Sequence, residues 1–488
     1  MTPPLHGIRM EILKVHNHQI TTAKNKPIRL RGWNIGGWLN MEDFINGFVG
    51  AEHNLRATMS RIIGKEEARF FFDRLLDHFF TEEDVKMMAK FGANVIRIPF
   101  NYRHFERDDK PFEYLEDGFK RLDQALDWCA KHGIYVILDF HAVQGWHNPD
   151  WHSDNAHVHI LLYHHKLFQD RFVGLWREMA KRYKNHPALA GYGLMNEPCT
   201  RVDYEEYESP NYNWDGLNHV HRLAAQAIRE VDSNHILFVE GDNFACEFDG
   251  LDVTFDENIV VESHNYMSPT GGGAAYPGVI DGMYWNRDMV AAEFGMHSGT
   301  RCAFKNRRPI FVGEFGTWYA GYPEAIKYRA AALDDQLGVF DSAGVHWAVW
   351  TWKDIASMGS FNLDPESEYV QTIAPILRAK QEAADWEGEM PSGSVAKALN
   401  NTADTIDAYL AQTNLNVQIE RRWFAQYTLF GYLAQFLQVP YANLFKDMPE
   451  EKLDDMLSAF ALKNCVENKT ITKVLKKHLT TWNLIPGT

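Results

Sequence analysis

Residues 189–197 read LAGYGLMNE, and they decide the fold. Seven of the nine carry no polar side chain except a tyrosine hydroxyl, and the run ends on Asn196–Glu197 with Pro198 next. An unbroken apolar run of this length is a strand buried on both faces, and such strands belong to parallel sheets covered by helices. The acidic residue at its end lies where a parallel sheet presents its chemistry, at the C-terminal tip of a strand.

Seven more runs share this character: IRLRGWNI (28–35), ANVIRIPF (93–100), IYVILDFH (134–141), HILFVEGD (235–242), NIVVESHNY (258–266), PIFVGEF (309–315) and VHWAVWTW (345–352). Helical patterns separate them. In 114–133, Leu115, Phe119, Leu122, Leu126 and Trp128 follow a period of about 3.6 residues. The segments 214–232 and 325–344 behave alike, the latter stopped by Gly344. Eight strands alternating with helices predict an α/β chain folded as a (β/α)8 TIM barrel. A doubly wound open sheet is the competitor, but no strand runs into a GxGxxG turn. The barrel is expected over residues 1–386, its last helix at 367–386. EGEMPSGS (387–394) reads as a linker, and 395–488 as a C-terminal helical extension packed on the barrel. Its aromatic stretch (Trp423, Phe424, Tyr427, Phe430, Tyr432, Phe436) is expected to dock on the barrel, with a homo-oligomer contact as the alternative.

The 488 residues carry a formal net charge of −16, which disfavours nucleic acid and anionic membrane surfaces as partners. No apolar run is long enough to cross a membrane, and five scattered cysteines without CxxC spacing predict free thiols. With no secretory pattern in MTPPLHGIRMEILKV, the expected location is cytoplasmic. Fifteen tryptophans exceed the needs of a core and suit the apolar faces of sugar rings.

The strand ends carry Arg97, His141, Asn196–Glu197, His264, Tyr266, Glu314 and Trp350. Two carboxylates facing each other across a barrel mouth are what glycoside hydrolysis uses: one protonates the leaving oxygen and the other attacks the anomeric carbon. Arg97 beside Glu314 would keep it ionised as nucleophile, and Tyr266 would bond the same carboxylate. Glu197 would start protonated, favoured by the nearby charge of Glu314. Asn196 is placed to bond the sugar 2-hydroxyl.

This set, in VIRIPF, ILDFH, MNEP, ESHNY, VGEFG and WTWKD, resembles glycoside hydrolase family 5, of the retaining (β/α)8 glycosidases, over roughly 29–385. The resemblance implies Glu197 as acid/base, Glu314 as nucleophile and Trp350 as the platform for the sugar. HAVQGWHNPDWHSDN (141–155), WTWKD and RGWNIGGWLNMEDFINGFVG look more like the exo-acting members, with a long loop at 37–80 walling off one end. The expected activity is exo hydrolysis of β-glucosides or β-mannosides. The alternatives are a furanosidase, an endo-β-glucanase or mannanase, or a carbohydrate-binding barrel without turnover. No cofactor is expected.

Trp146 and Trp151, in the loop after 141, are expected to touch substrate. Seven histidines between 141 and 165 lack HExxH spacing, so no metal is expected; His147 and His152 suit loop or sugar hydrogen bonds, and His157–His165 suit a helix. Glu262 is a candidate ion-pair partner of Arg97. Glu240 and Asp242 suit either sugar hydroxyls or loop amides.

Overall fold

A computed structural model of the chain describes residues 10–200, 212–384, 392–413, 421–429 and 433–480. At its centre is a closed barrel of eight parallel strands in chain order. They are β1 (Arg31–Asn34), β2 (Val95–Asn101), β3 (Tyr135–Ala142), β4 (Leu189–Gly193), β5 (Ile236–Glu240), β6 (Ile259–His264), β7 (Ile310–Glu314) and β8 (His346–Val349). One strand falls in each expected run, and every residue of all eight is buried.

Helices α1 (Glu52–Ile62) and α2 (Lys65–Phe79) precede α3 (Glu82–Phe91), which leads into β2. Next come α4 (Glu116–His132), α5 (Lys166–Tyr183), α6 (Trp214–Arg229), α7 (Arg287–Met296), α8 (Ser298–Lys305), α9 (Ile326–Ala343) and α10 (Glu368–Ala383). Helix α4 shows the logic. Phe119, Leu122, Ala125, Leu126 and Cys129 make its buried stripe, acids open it, Lys131 and His132 close it, and Gly133 at φ 72° caps it left-handed. The connection from β5 to β6 departs from the alternation, holding only the short turn Asp242–Ala245.

Two expected local structures are corrected. The long loop at 37–80 is mostly helical, a short turn at Asp43–Asn46 followed by α1 and α2, because Leu55, Met59, Phe71, Phe72, Leu75 and Leu76 recur at helical spacing and are buried. His157–His165 are not helical. Helix α5 begins at Lys166, and Asn155 Nδ2 donates to the His159 carbonyl at 2.7 Å, folding that segment into the loop after β3.

The expected linker lies largely outside the described residues. Beyond it, α11 (Gly393–Leu410), α12 (Ala434–Asn443), α13 (Glu450–Leu457) and α14 (Lys469–Thr480) lie along the barrel wall, α12 against α1, α13 against α2 and α14 against α9. Of the described residues in the aromatic stretch, Ala425, Leu429 and Ala434 are buried, Phe424 is half-buried and Phe436 is 73% exposed. The side chains of Trp423 and Tyr427, and the residues Phe430 and Tyr432, lie outside the described part.

The tail also completes a second sheet. Strand β9 (Lys353–Asp354) pairs in parallel with β10 (Phe361–Leu363), which pairs antiparallel with β11 (Cys465–Glu467). Lys353, fully buried, meets Asp84 at 2.7 Å and donates to the Phe460 carbonyl at 3.0 Å. A buried ammonium is tolerated only with partners of this kind. Trp352 donates to the same Asp84 at 2.8 Å, and its ring meets Trp33 edge-on at 5.0 Å. The segment after β8, which carries Trp350, is thus held from both sides. Leu453, Leu457, Phe460, Ile471 and Leu475 are buried in the core shared with the barrel, each contributing roughly 1.5–3 kcal/mol. Deleting 449–488 is therefore expected to give insoluble protein on expression. A soluble, folded product by circular dichroism would show the tail to be dispensable.

Candidate active site

The floor of the site is one guanidinium among four carboxylates. Arg97, fully buried on β2, lies 3.0 Å from Asp139 (β3), 3.1 Å from Glu240 (β5), 2.7 Å from Glu262 (β6) and 2.9 Å from Glu314 (β7). It also donates to Asn196 Oδ1 at 2.7 Å and Asn34 Oδ1 at 3.2 Å. The Arg97–Glu262 ion pair considered from strand parity is present. Gly313 makes room for it: a Cβ there would stand 2.1 Å from Glu262 Oε1. One positive charge cannot balance four negative ones in a dry interior. Burial and the neighbouring Asp139 outweigh Arg97 and push Glu262 up to about 7, and burial pushes Glu240 well up from the usual carboxylate range. These two floor carboxyls take up protons in preference to ionising.

Above the floor, period two along β6 puts Glu262 and His264 on one face. His264 Nδ1 lies 2.6 Å from Glu197 Oε1 and 3.7 Å from Glu314 Oε2, and Tyr266 donates to Glu314 Oε2 at 3.1 Å. One carboxylate oxygen each of Glu197 and Glu314 and a nitrogen of His264 all fall within 4.8 Å of one another. His141 Nδ1 bonds Asp139 Oδ2 at 2.7 Å, its Nε2 lies 3.4 Å from Glu42 Oε1, and its ring stacks on Trp350 at 5.7 Å and 9°.

Glu197 adopts a left-handed backbone, φ 47°, directly before Pro198. That conformation is disfavoured for a side-chain-bearing residue and more so before proline. Two bonds hold it: its N–H donates to Glu240 Oε2 at 2.6 Å and its carbonyl accepts from Asn148 Nδ2 at 2.9 Å. Glu240 thus satisfies a loop amide, and Asp242 likewise accepts the N–H groups of Thr200 at 2.9 Å and Asn243 at 2.7 Å.

The electrostatic expectation for Glu197 is overturned. Burial favours its protonated form, but His264 at Oε1 and His152 at Oε2 (3.0 Å) outweigh it and hold the carboxyl well below the usual range. The two histidines rise to about 10, against the effect of their own burial, His264 through Glu314, Glu240 and Glu197, and His152 through Glu197, Asp150 and Glu42. The charge of Glu314 raises His264 before it reaches Glu197.

Glu197, Glu314, His141, Tyr266, Trp151 and Trp350 line a cavity of about 1020 Å³. Four expected contacts do not line it, His264 among them, buried against Glu197 and Glu314. Arg97 and Asn196 are fully buried beneath it, Asn196 Nδ2 lying 3.3 Å from His141 Nε2, so both position other groups instead of meeting a sugar. Trp146 turns into its own loop, its indole donating to the Asp154 carbonyl at 2.8 Å and its ring 6.4 Å from His53. His147 is also internal, bonded to the Asn196 carbonyl, and burial pushes it down to about 3, which keeps it neutral.

The cavity wall includes residues not singled out from the sequence: Glu42 and Phe44 after β1, Phe244 after β5 and Trp318 after β7. Trp318, four residues past Glu314, had a signal in GEFGTW. Phe244 had none. It sits in a turn where Asn243 (φ 52°), Phe244 (φ 56°) and Ala245 (φ 58°) are all left-handed, at roughly 1–2 kcal/mol per residue. The Phe244 N–H donates to the Pro198 carbonyl at 3.0 Å, tying this turn to the strand end that carries Glu197. Strain of this sort collects at functional sites.

Comparison with known proteins agrees with this geometry. A family model described as Cellulase (glycosyl hydrolase family 5) matches residues 72–355. A Phanerodontia chrysosporium protein named beta-xylosidase is 32% identical over 490 residues, 96% of this chain and 98% of that one. Endoglucanase C of Acetivibrio thermocellus is 33% identical over 192 residues, covering 39% of this chain and 51% of its own. A solved endogalactoceramidase structure superposes with a TM-score of 0.51 at 17% identity, over 71% of this chain and 75% of that one, a likeness of fold. The chain belongs to glycosyl hydrolase family 5 and is a glycosidase.

Proposed function

We propose that this glycosidase is an exo-acting, retaining β-glycosidase of β-glucoside or β-mannoside type, with Glu314 as nucleophile and Glu197 as acid/base. The carrying observation is the approach of the Glu197 and Glu314 carboxylate oxygens to within 4.8 Å. Retaining enzymes hold the two carboxyls about 5–5.5 Å apart, whereas inverting ones need roughly 6.5–9.5 Å to admit a water. Arg97 and Tyr266 each hold one oxygen of Glu314 and aim it, and Trp350, backed by His141, offers a flat face to the sugar. In the first half-reaction Glu314 bonds to the anomeric carbon while Glu197 protonates the departing oxygen. In the second, Glu197 takes a proton from water, which displaces Glu314.

Support for exo action comes from the rim. Trp151 (after β3), Phe44 (after β1) and Trp318 (after β7) meet ring to ring at 5.6 and 5.9 Å. Three loops thus close over the β1 side of the mouth, and the Glu42 carboxyl lies inside the closure. Such a pocket takes one terminal sugar and leaves a polymer no straight path through. The fungal relative named beta-xylosidase favours a second reading, in which the sugar is a β-xyloside.

The test is a panel of aryl β-glycosides (glucoside, mannoside, xyloside, galactoside, galactofuranoside, arabinofuranoside), followed by product sizing on the matching oligosaccharide. A single sugar is expected from the first turnovers, released first as the β anomer by NMR. Early mixed oligosaccharides would reject exo action, and an initial α product would reject retention.

A further inference from the structure

The acid/base carboxyl has no oxygen to itself: Oε1 is engaged by His264 Nδ1 at 2.6 Å and Oε2 by His152 Nε2 at 3.0 Å. The two imidazoles are not equivalent. His264 is 1% exposed and does not line the cavity; His152 does, at 11% side-chain exposure. The oxygen that meets a leaving group is therefore the one His152 holds. His152 belongs to no strand end; it comes from the loop after β3, within the short turn Trp151–Ser153.

We propose that His152 carries the proton for the acid/base step: between turnovers it rests on His152 Nε2, and it crosses to Glu197 Oε2 when a sugar occupies the pocket. This rests on the reading of Glu197 as acid/base. The surroundings provide for both ends of the transfer. With the proton on nitrogen, His152 is a cation facing Glu197, with Asp150 Oδ2 3.9 Å from its Nδ1 and the Glu42 carboxyl on the far side. His141, its ring 5.8 Å away, is the cationic neighbour opposing that state, and it is itself engaged by Asp139 and Glu42. His147 is neutral. With the proton on Glu197, the His152 Nε2 lone pair faces it, and Asn148 Nδ2, at 3.1 Å, offers that nitrogen a second donor. Phe244 flanks the pair, its ring 6.1 Å from the His152 ring.

The steps balance. The proton passes from Nε2 to Oε2 and on to the glycosidic oxygen as the C1–O bond breaks and the C1–Glu314 bond forms. In the second half a water proton returns to Oε2 and then to Nε2, as hydroxide oxygen bonds to C1 and Glu314 leaves. No outside reactant is needed.

The pH consequence has a definite sign. A proton held on a histidine whose pKa is raised stays in place to higher pH than one on a carboxyl, so the basic limb of kcat/KM lies high in the parent enzyme. In His152→Gln the proton must sit on Glu197 or on His264. The basic limb is expected to move down by a pH unit or more. The loss in kcat/KM should depend on the leaving group: roughly 10–100-fold for a methyl or disaccharide substrate, up to the lower end of a full general-acid effect because Glu197 remains, and at least tenfold less for a 2,4-dinitrophenyl glycoside, whose aglycone leaves without a proton. An unmoved basic limb, or equal losses on both substrates, would overturn the proposal. Glu197→Ala separates the two layers. If it keeps full activity on the disaccharide, the acid/base reading itself fails; if it loses activity while His152→Gln does not, only the carrier role fails. Should His152→Gln not fold, 15N-histidine NMR of the parent and of Glu197→Gln decides. A pocket imidazolium persisting above pH 8 and titrating at least a unit lower in Glu197→Gln supports the carrier, and identical titration in both overturns it.

Discussion

Glu314→Ala is expected to lower kcat/KM on an aryl β-glycoside by about 10⁵-fold or more, on the order of 7 kcal/mol of transition-state free energy. Arg97 and Tyr266 hold the two Glu314 oxygens at 2.9 and 3.1 Å, so the carboxylate is presented in one orientation, and no other cavity-lining carboxylate shares the Arg97 contact. Removing it leaves a methyl-lined gap where azide fits. Azide should restore turnover of an activated substrate and yield the α-glycosyl azide, since the anion attacks from the face Glu314 used. Parental activity without azide, or a β-azide product, would reject the nucleophile assignment.

The second large effect concerns stability. Arg97→Ala leaves Asp139, Glu240, Glu262 and Glu314 around an empty centre, all buried. Removing one partner from a buried ionic cluster costs about 3–5 kcal/mol, because the remaining charges cannot be rehydrated. The urea midpoint should fall accordingly, and activity should be lost with it as Glu314 swings free. Arg97→Lys is not expected to rescue: one ammonium cannot reach the six side chains that now surround the guanidinium. An unchanged midpoint in Arg97→Ala would show that this guanidinium does not hold the cluster together.

The barrel was legible because its strands are buried on both faces and so read as apolar runs, each ending on the residue it delivers. That rule names Arg97, His141, Asn196, Glu197, His264, Tyr266, Glu314 and Trp350 as candidates, although Arg97 lies within β2 and not at its end. Depth was not legible. Arg97 and Asn196 share strands with residues that reach the cavity, and period two says which side faces inward, not how far below the mouth a residue lies. The loop after β3 misled for a different reason. Trp146 was expected to face solvent-borne sugar because loops lack cores, yet this one has an interior of its own. Asn148, Ser153 and Asn155 are fully buried; Ser153 and Asn155 donate to its carbonyls, Asn148 Oδ1 accepts the Asp150 N–H, and Trp146 joins them. His152, expected to make loop or sugar hydrogen bonds, emerges from the same packing to line the cavity, whereas His147 stays inside. The left-handed turn at 243–245 contains no glycine, so nothing local announces it.

The pairing of β10 with β11 sets the order in which the enzyme comes into being. A ribosome adds roughly 5–20 residues each second, and the Cys465–Glu467 strand emerges about a hundred residues after His346–Val349. For several seconds the nascent barrel has all eight staves but no clasp on the segment bearing Trp350, with Lys353 still waiting for the Phe460 carbonyl. The clasp on the segment bearing Trp350 thus closes only late in synthesis.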